Sequence, residues 1–139
     1  MNYSLQQNQA IVLKSGKQLR QFYVDQIMYV SSSAYVSTIH LVDTDQAESF
    51  SILLKHLEGL LTPYGFIRIN RNELINMKYF KELQEKQNRR IVLQNNKELT
   101  ISHRKMSLVR QFLKKTNLKQ PQPIMSFGWS VKKLSSFIQ

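Results

Sequence analysis

The sequence predicts a mainly β domain, with antiparallel strands in small packed sheets and one or two short helices. Three observations carry this. Short apolar runs recur at intervals of about 8–12 residues. Turn chemistry separates them at Lys14-Ser15-Gly16-Lys17, Asp43-Thr44-Asp45-Gln46 and Gln94-Asn95-Asn96-Lys97. From Tyr35 to Val42 the residues alternate strictly, as on a strand with one buried face.

Taken in order, Ala10–Leu13 is the first apolar run, and Gly16 can supply the positive φ of a tight turn. Leu19, Phe22 and Val24 carry the return strand, and Ile27–Val30 follows, broken by Ser31-Ser32-Ser33-Ala34. Val36, Thr38, His40 and Val42 then share one face, and Tyr35, Ser37, Ile39 and Leu41 the other. Ala47–Phe50 returns after the aspartate turn. A helix capped by Ser51 places Ile52, Leu53, Leu57, Leu60 and Leu61 near one stripe, and Thr62-Pro63 ends it. Phe66, Ile67 and Ile69 begin a strand that puts Arg68 and Asn70 on the opposite face, with Arg71 and Asn72 at the turn beyond. Phe80–Leu83 is a weak strand. Arg90–Leu93 and Leu99–Ile101 form a hairpin in which asparagine tolerates the left-handed turn position. Ser102 is placed to cap a last helix carrying Met106, Val109, Phe112 and Leu113, with Arg110, Lys114 and Lys115 near its C-terminal end.

The domain is therefore assigned to residues 1–116. Residues 117–139 read as a linker, Gln120-Pro121-Gln122-Pro123, and an amphipathic segment with Phe127, Trp129, Val131, Leu134 and Ile138. That segment is assigned to folding back on the domain or to self-association, with contact to a membrane surface as its rival.

Charge narrows the partners. The 139 residues hold 20 Lys+Arg and 9 Asp+Glu, a net +11, unevenly spread. Met1–Gly65 is net −1, Phe66–Lys115 net +9, and the tail net +3. Such segregation predicts a positive face offered to a polyanion. There is no cysteine, which excludes disulfide scaffolds, thiol catalysis and cysteine-bound zinc. No apolar run approaches the roughly 18 residues of a membrane span, and the polar start lacks a signal core, so a cytoplasmic location is expected. His40, His56 and His103 show no metal-ligand spacing. With no paired carboxylates flanking a glycine-rich turn and no phosphate loop, neither a metal, a cofactor nor an enzyme is expected.

Two stretches carry the binding chemistry. In Phe66–Asn76, Arg68, Asn70, Arg71 and Asn72 combine forked donors for phosphate with amides that can meet base edges or sugars. Asn72 and Asn76 have the alternative of bonding local backbone in turns. In Thr100–Lys105, a strand leads through Ser102, His103, Arg104 and Lys105 into a helix start, where free N–H groups favour phosphate. Arg104 is the candidate for a bidentate guanine contact, and Lys105 and Lys78 for phosphates.

The order Phe66-Ile67-Arg68-Ile69-Asn70-Arg71-Asn72, Leu74-Ile75-Asn76, a hairpin, then Leu99-Thr100-Ile101-Ser102-His103-Arg104-Lys105 resembles the LytTR DNA-binding domain. Asp25–Val30, with the serine loop and Tyr35, resembles its first-half strand pair, so the likeness covers roughly Ala10–Lys115. The resemblance implies a bacterial transcription regulator that inserts loops into successive major grooves and the minor groove between them. Arg104 matches a major-groove loop residue, Asn70, Arg71 and Asn72 match the loop near the intervening groove, and Ser31–Tyr35 matches the other major-groove loop. There Ser33, Ala34 and Tyr35 stand where some members have longer or more polar side chains. The implied partner is double-stranded DNA, commonly direct repeats, with room for a homodimer on DNA and for a separate membrane-bound or soluble regulator. Since few residues precede Ala10, no phosphorylatable receiver domain is expected. The alternatives are RNA binding, through exposed Tyr35, Tyr64 or Tyr79 with Tyr23, Tyr29, Phe50 and Phe66 in the core, and a protein-interaction module without DNA.

Overall fold

The computed structural model describes residues 9–86 and 88–119. Contacts divide the chain after Met106, and the final helix is described by itself. Among the described residues, ten strands form three antiparallel sheets. Strands β1 (Ala10–Ser15) and β2 (Gln18–Tyr23) make a two-stranded hairpin, with Gly16 at φ 61° in its turn. The five-stranded sheet has the order β5-β4-β3-β7-β6, from β3 (Ile27–Ser33), β4 (Val36–Leu41), β5 (Ala47–Phe50), β6 (Phe66–Asn70) and β7 (Glu73–Asn76). Strands β8 (Phe80–Gln84), β9 (Arg90–Leu93) and β10 (Glu98–Thr100) make the third sheet, in the order β10-β9-β8. Helix α1 (Leu54–Leu61) links β5 to β6.

One core unites the first half. Ile11 and Phe22 of the hairpin, Val30 and Ile39 of the sheet, and Leu54, Leu57 and Leu61 of α1 bury together. The hairpin and helix thus close over the apolar face that alternation along β4 creates, where Ser37 and Ile39 are buried. Of the aromatic residues assigned to the core, Tyr29, Phe50 and Phe66 are buried, but Tyr23 is exposed. It pairs with Ala10 on the outer face of the hairpin, opposite in parity to Phe22.

The structure corrects three expectations. Ser31, Ser32 and Ser33 do not break the strand: they continue β3, paired with Thr38, Ser37 and Val36, and the turn lies at Ala34-Tyr35, where Ala34 takes φ 55°. Ser51 does not cap α1. The Ser37 hydroxyl donates to the Ile52 carbonyl at 2.6 Å, which keeps that segment extended, and the helix begins only after Leu53. Leu54 therefore joins the buried stripe, while Leu53 is 52% exposed and Leu60 also faces solvent. Finally, Leu74, Ile75 and Asn76 form β7, a strand not foreseen, with β3 on one side and β6 on the other. Four residues without alternation give no period to read.

Helix α2 (Met106–Lys119) follows a single 3₁₀ turn at His103–Lys105. Ser102 occupies the cap position, but its side chain makes no capping bond. The helix continues past Thr116, whose hydroxyl donates to the Phe112 carbonyl at 3.0 Å. The proline linker and the amphipathic segment lie outside the described residues.

Two side chains anchor this frame. Asn76, 2% exposed, donates to the carbonyls of Ile27 at 2.9 Å and Val24 at 3.4 Å and accepts from Lys78 N at 3.0 Å. Only the bond from Lys78 N is the local turn contact of the alternative reading; the other two reach backbone distant in sequence. His40 stacks on Tyr29 with ring centroids 4.1 Å apart, its Nε2 2.8 Å from Ser31 Oγ. Burial first, then the charge of Lys97, hold its pKa below the ordinary imidazole value.

Asn76→Ala removes the amide donor to the Ile27 carbonyl and the acceptor for Lys78 N, and should cost about 1–3 kcal/mol in denaturant melts. Because His40 titrates lower in the folded chain, the unfolded chain takes up its proton first. Stability should therefore fall as pH drops below about 6.5 toward the folded value. Melts between pH 7.5 and 5 should show a shallower decline for His40→Gln than for the parent.

Candidate nucleic-acid interface

Antiparallel pairing decides which loops meet. Since β3 pairs with β7, and β7 with β6, the β3–β4 turn at Ala34-Tyr35 and the β6–β7 turn at Arg71-Asn72 emerge at the same end of the sheet. Phe50 of β5 pairs with Ser37 of β4, so the exit from β5 into α1 reaches that end too. The segment after β10 joins them along the free edge of β6, where Ser102 N donates to the Ile69 carbonyl at 2.8 Å.

Hydrogen bonds lace these loops together. Ser32 N donates to the Asn72 carbonyl at 2.8 Å. The Asn70 amide group donates to the Thr100 carbonyl at 2.6 Å and to Glu73 Oε1 at 2.8 Å, while its Oδ1 accepts from Asn72 N at 2.8 Å. A register shift between Arg68 and Asn70 marks a bulge in β6, which re-aims the residues beyond it.

Arg71 stands at the centre of the resulting surface and lines three adjoining shallow grooves. Glu58, Arg104 and Lys105 line the first, Ser32 and Thr100 the second, and Tyr35, Leu53 and Lys55 the third. Lys55, Arg71 and Arg104 are exposed, and among the described residues their charges have no acidic partner. His103, Ser33 and Asn72 are exposed as well, Ser102 and Lys105 are half-buried, and Tyr35 is 76% exposed. The rim thus presents donors and cations able to meet phosphate, with amide and hydroxyl groups between them.

Two predicted residues are placed differently from the rest. Arg68 lies on the rim but is engaged: its Nη1 is 3.2 Å from Glu58 Oε1, and its Nη2 donates to the Arg71 carbonyl at 2.6 Å. Lys78 lies at the opposite end of β7, paired with Asp25 at 3.2 Å. Asp43 and Asp45 share that end, in the β4–β5 turn. There Tyr79 donates its hydroxyl to the Asp25 carbonyl, and burial, then Asp25 and Asp43, raise its pKa. Sequence reasoning missed Lys55, an isolated lysine in the half of the chain that is net −1. Only the topology of β5 brings it to the basic loops.

The fold and this rim define a β-scaffold domain whose exposed cations gather at turns on one end of a sheet. The family model of the LytTr DNA-binding domain matches residues 17–114. Among solved structures, the chain resembles a LytTr DNA-binding domain from Bacillus cereus at 18% identity and a TM-score of 0.61, covering 75% of this chain and 95% of that one. No curated protein matches the chain. The chain belongs to the LytTR family, a family of DNA-binding domains of transcription regulators rather than of catalysts. Among the described residues, no helix is long and apolar enough to cross a membrane.

Asn70→Ala should lower stability by about 1–3 kcal/mol, since it removes three hydrogen bonds that join the β6–β7 turn to the end of β10. Arg71→Ala and Arg104→Ala, which break no internal bond, should melt within about 0.5 kcal/mol of the parent. Thermal and denaturant melts of the three variants separate scaffold from contact residues.

Proposed function

We propose that the chain regulates transcription by sequence-specific binding to double-stranded DNA through this rim. One observation supports it above others: turns distant in sequence converge on one end of a sheet, and their cations are unpaired. Arg104, beside Ser102 and His103, enters a major groove and offers its fork to a guanine. Arg71 and Asn72 meet the intervening minor groove, and Ser33 and Tyr35 face the next major groove. Lys55 and Lys105 hold phosphates, which position the domain without reading sequence. Asn70 and Arg68 serve the same surface from beneath, by holding the turn.

The resemblance to the family implies direct repeats, on which a second copy extends the site along the duplex. Two copies on adjacent repeats form the homodimer, and regulation comes from abundance, self-association or a separate protein. The residues after Lys119 serve as linker and association segment. A cytoplasmic setting follows from the DNA target.

Selection from a random duplex library should return one preferred site and its repeat spacing. On that site, Arg104→Ala should relax preference at one base pair by about 1–3 kcal/mol, while Lys105→Ala weakens all sequences alike. Lys78→Ala, remote from the rim, is the internal control. The logarithm of the binding constant should fall steeply and linearly with the logarithm of salt concentration. Unchanged base preference in the Arg104 variant, or displacement of the duplex by equimolar single-stranded RNA, would remove this assignment.

A further inference from the structure

We propose that Glu58 and Arg68 form a latch that sets the β6–β7 turn for DNA, so that Arg68 acts as a positioning residue and not as a DNA contact. The proposal rests on the assignment of the rim to DNA and specifies how one of its loops is held.

The geometry of Arg68 carries it. Its Nε donates to the Asn70 carbonyl at 3.4 Å, its Nη2 to the Arg71 carbonyl at 2.6 Å, and its Nη1 faces Glu58 Oε1 at 3.2 Å. The fork therefore grips two successive turn residues while a carboxylate from α1 neutralises and orients it. The side chain is only 23% exposed, against the exposed and unpaired Arg71 next to it. Turning Arg68 outward to a phosphate would release both carbonyls and leave the Glu58 carboxylate uncompensated beside the DNA.

The rest of the turn is tied in the same sense. Asn72 N is held by Asn70 Oδ1 and the Asn72 carbonyl by Ser32 N, each at 2.8 Å. With both Arg68 bonds in place, the backbone from residue 70 to 72 has little freedom left, while the Arg71 side chain remains unengaged. Such a turn loses little conformational entropy when the duplex arrives, which is how preorganisation raises affinity. Glu58 is an acid at a cationic rim, and a role in holding the latch explains its place there.

The test compares Glu58→Ala, Arg68→Met and the double variant with the parent. Each is titrated on a duplex selected by the parent and on an unrelated duplex, at several salt concentrations. If the latch operates, both single variants lower the ratio of selected to unrelated affinity by at least about fivefold, the lower range of one good base contact. The double variant then loses no more than either single one, and the salt slope on the unrelated duplex is unchanged.

Two results would overturn the latch. A salt slope reduced by about 0.9 in Arg68→Met marks a lost phosphate contact. Tighter binding of both duplexes by Glu58→Ala, with the ratio preserved, marks a carboxylate that only repels DNA. Should Arg68→Met fail to fold, Glu58→Ala, whose carboxylate is a third exposed, decides alone: a lowered ratio supports the latch, and a preserved ratio overturns it. Arg71→Ala tells the two claims apart: if it weakens the selected duplex while both latch variants do not, the rim binds DNA and the latch is wrong. If it has no effect, the assignment of the rim itself fails.

Discussion

The convergence of the loops at one end of the sheet depends on one amide. Asn70 joins the β6–β7 turn to Glu73, to Thr100 and to the backbone of Asn72, and so ties together segments thirty residues apart. A half-buried amide with both donors and its oxygen engaged fixes orientation more narrowly than apolar packing, which tolerates sliding. Around it, the Ser32–Asn72 and Ser102–Ile69 backbone bonds extend the sheet's own pairing into the loops. The loops that carry exposed cations are thus continuations of strands, and their positions follow from register.

Charge is distributed along the strands of the sheet as well as over the chain. Lys55, Arg71, Arg104 and Lys105 gather at one end, and Asp25, Asp43 and Asp45 lie at the other, where Lys78 is neutralised by its pair. A polyanion approaching such a domain meets exposed cations without acidic partners at the rim, and such a cluster favours encounters at that end. The excess of +11 alone would give attraction without orientation. What converts excess into polarity is the antiparallel order β5-β4-β3-β7-β6.

The strands with an alternating or turn-bounded signature were legible: β1 and β2 through Gly16, β4 through its period, β9 and β10 through the asparagine turn. Legibility ended where tertiary partners override local chemistry. Ser31–Ser33 look like a loop in sequence, yet two flanking strands satisfy their backbone. Ser51 has the right side chain for a cap, but the Ser37–Ile52 bond delays the helix. In the site, the basic stretches around Arg71 and Arg104 were visible as composition. That Lys55 joins them, that Lys78 does not, and that Arg68 is occupied depend on contacts ten or more residues apart.

A domain built this way divides its work between two kinds of residue. Exposed cations on short turns supply attraction that any duplex can use and that salt weakens. Any discrimination between sequences needs side chains held in constant relative positions, and here backbone bonds and half-buried partners hold the turns that carry them. The β3–β4 and β6–β7 turns have only two residues each, so little loop entropy remains in them. Because Arg71 borders all three grooves, displacement of its turn disturbs each of them at once. Substitutions beneath the rim should therefore combine non-additively with those on it, as expected for neighbours that share partners. The scaffold thereby does for its loops what a recognition helix does through its own hydrogen bonds: it makes a few side chains move as one body.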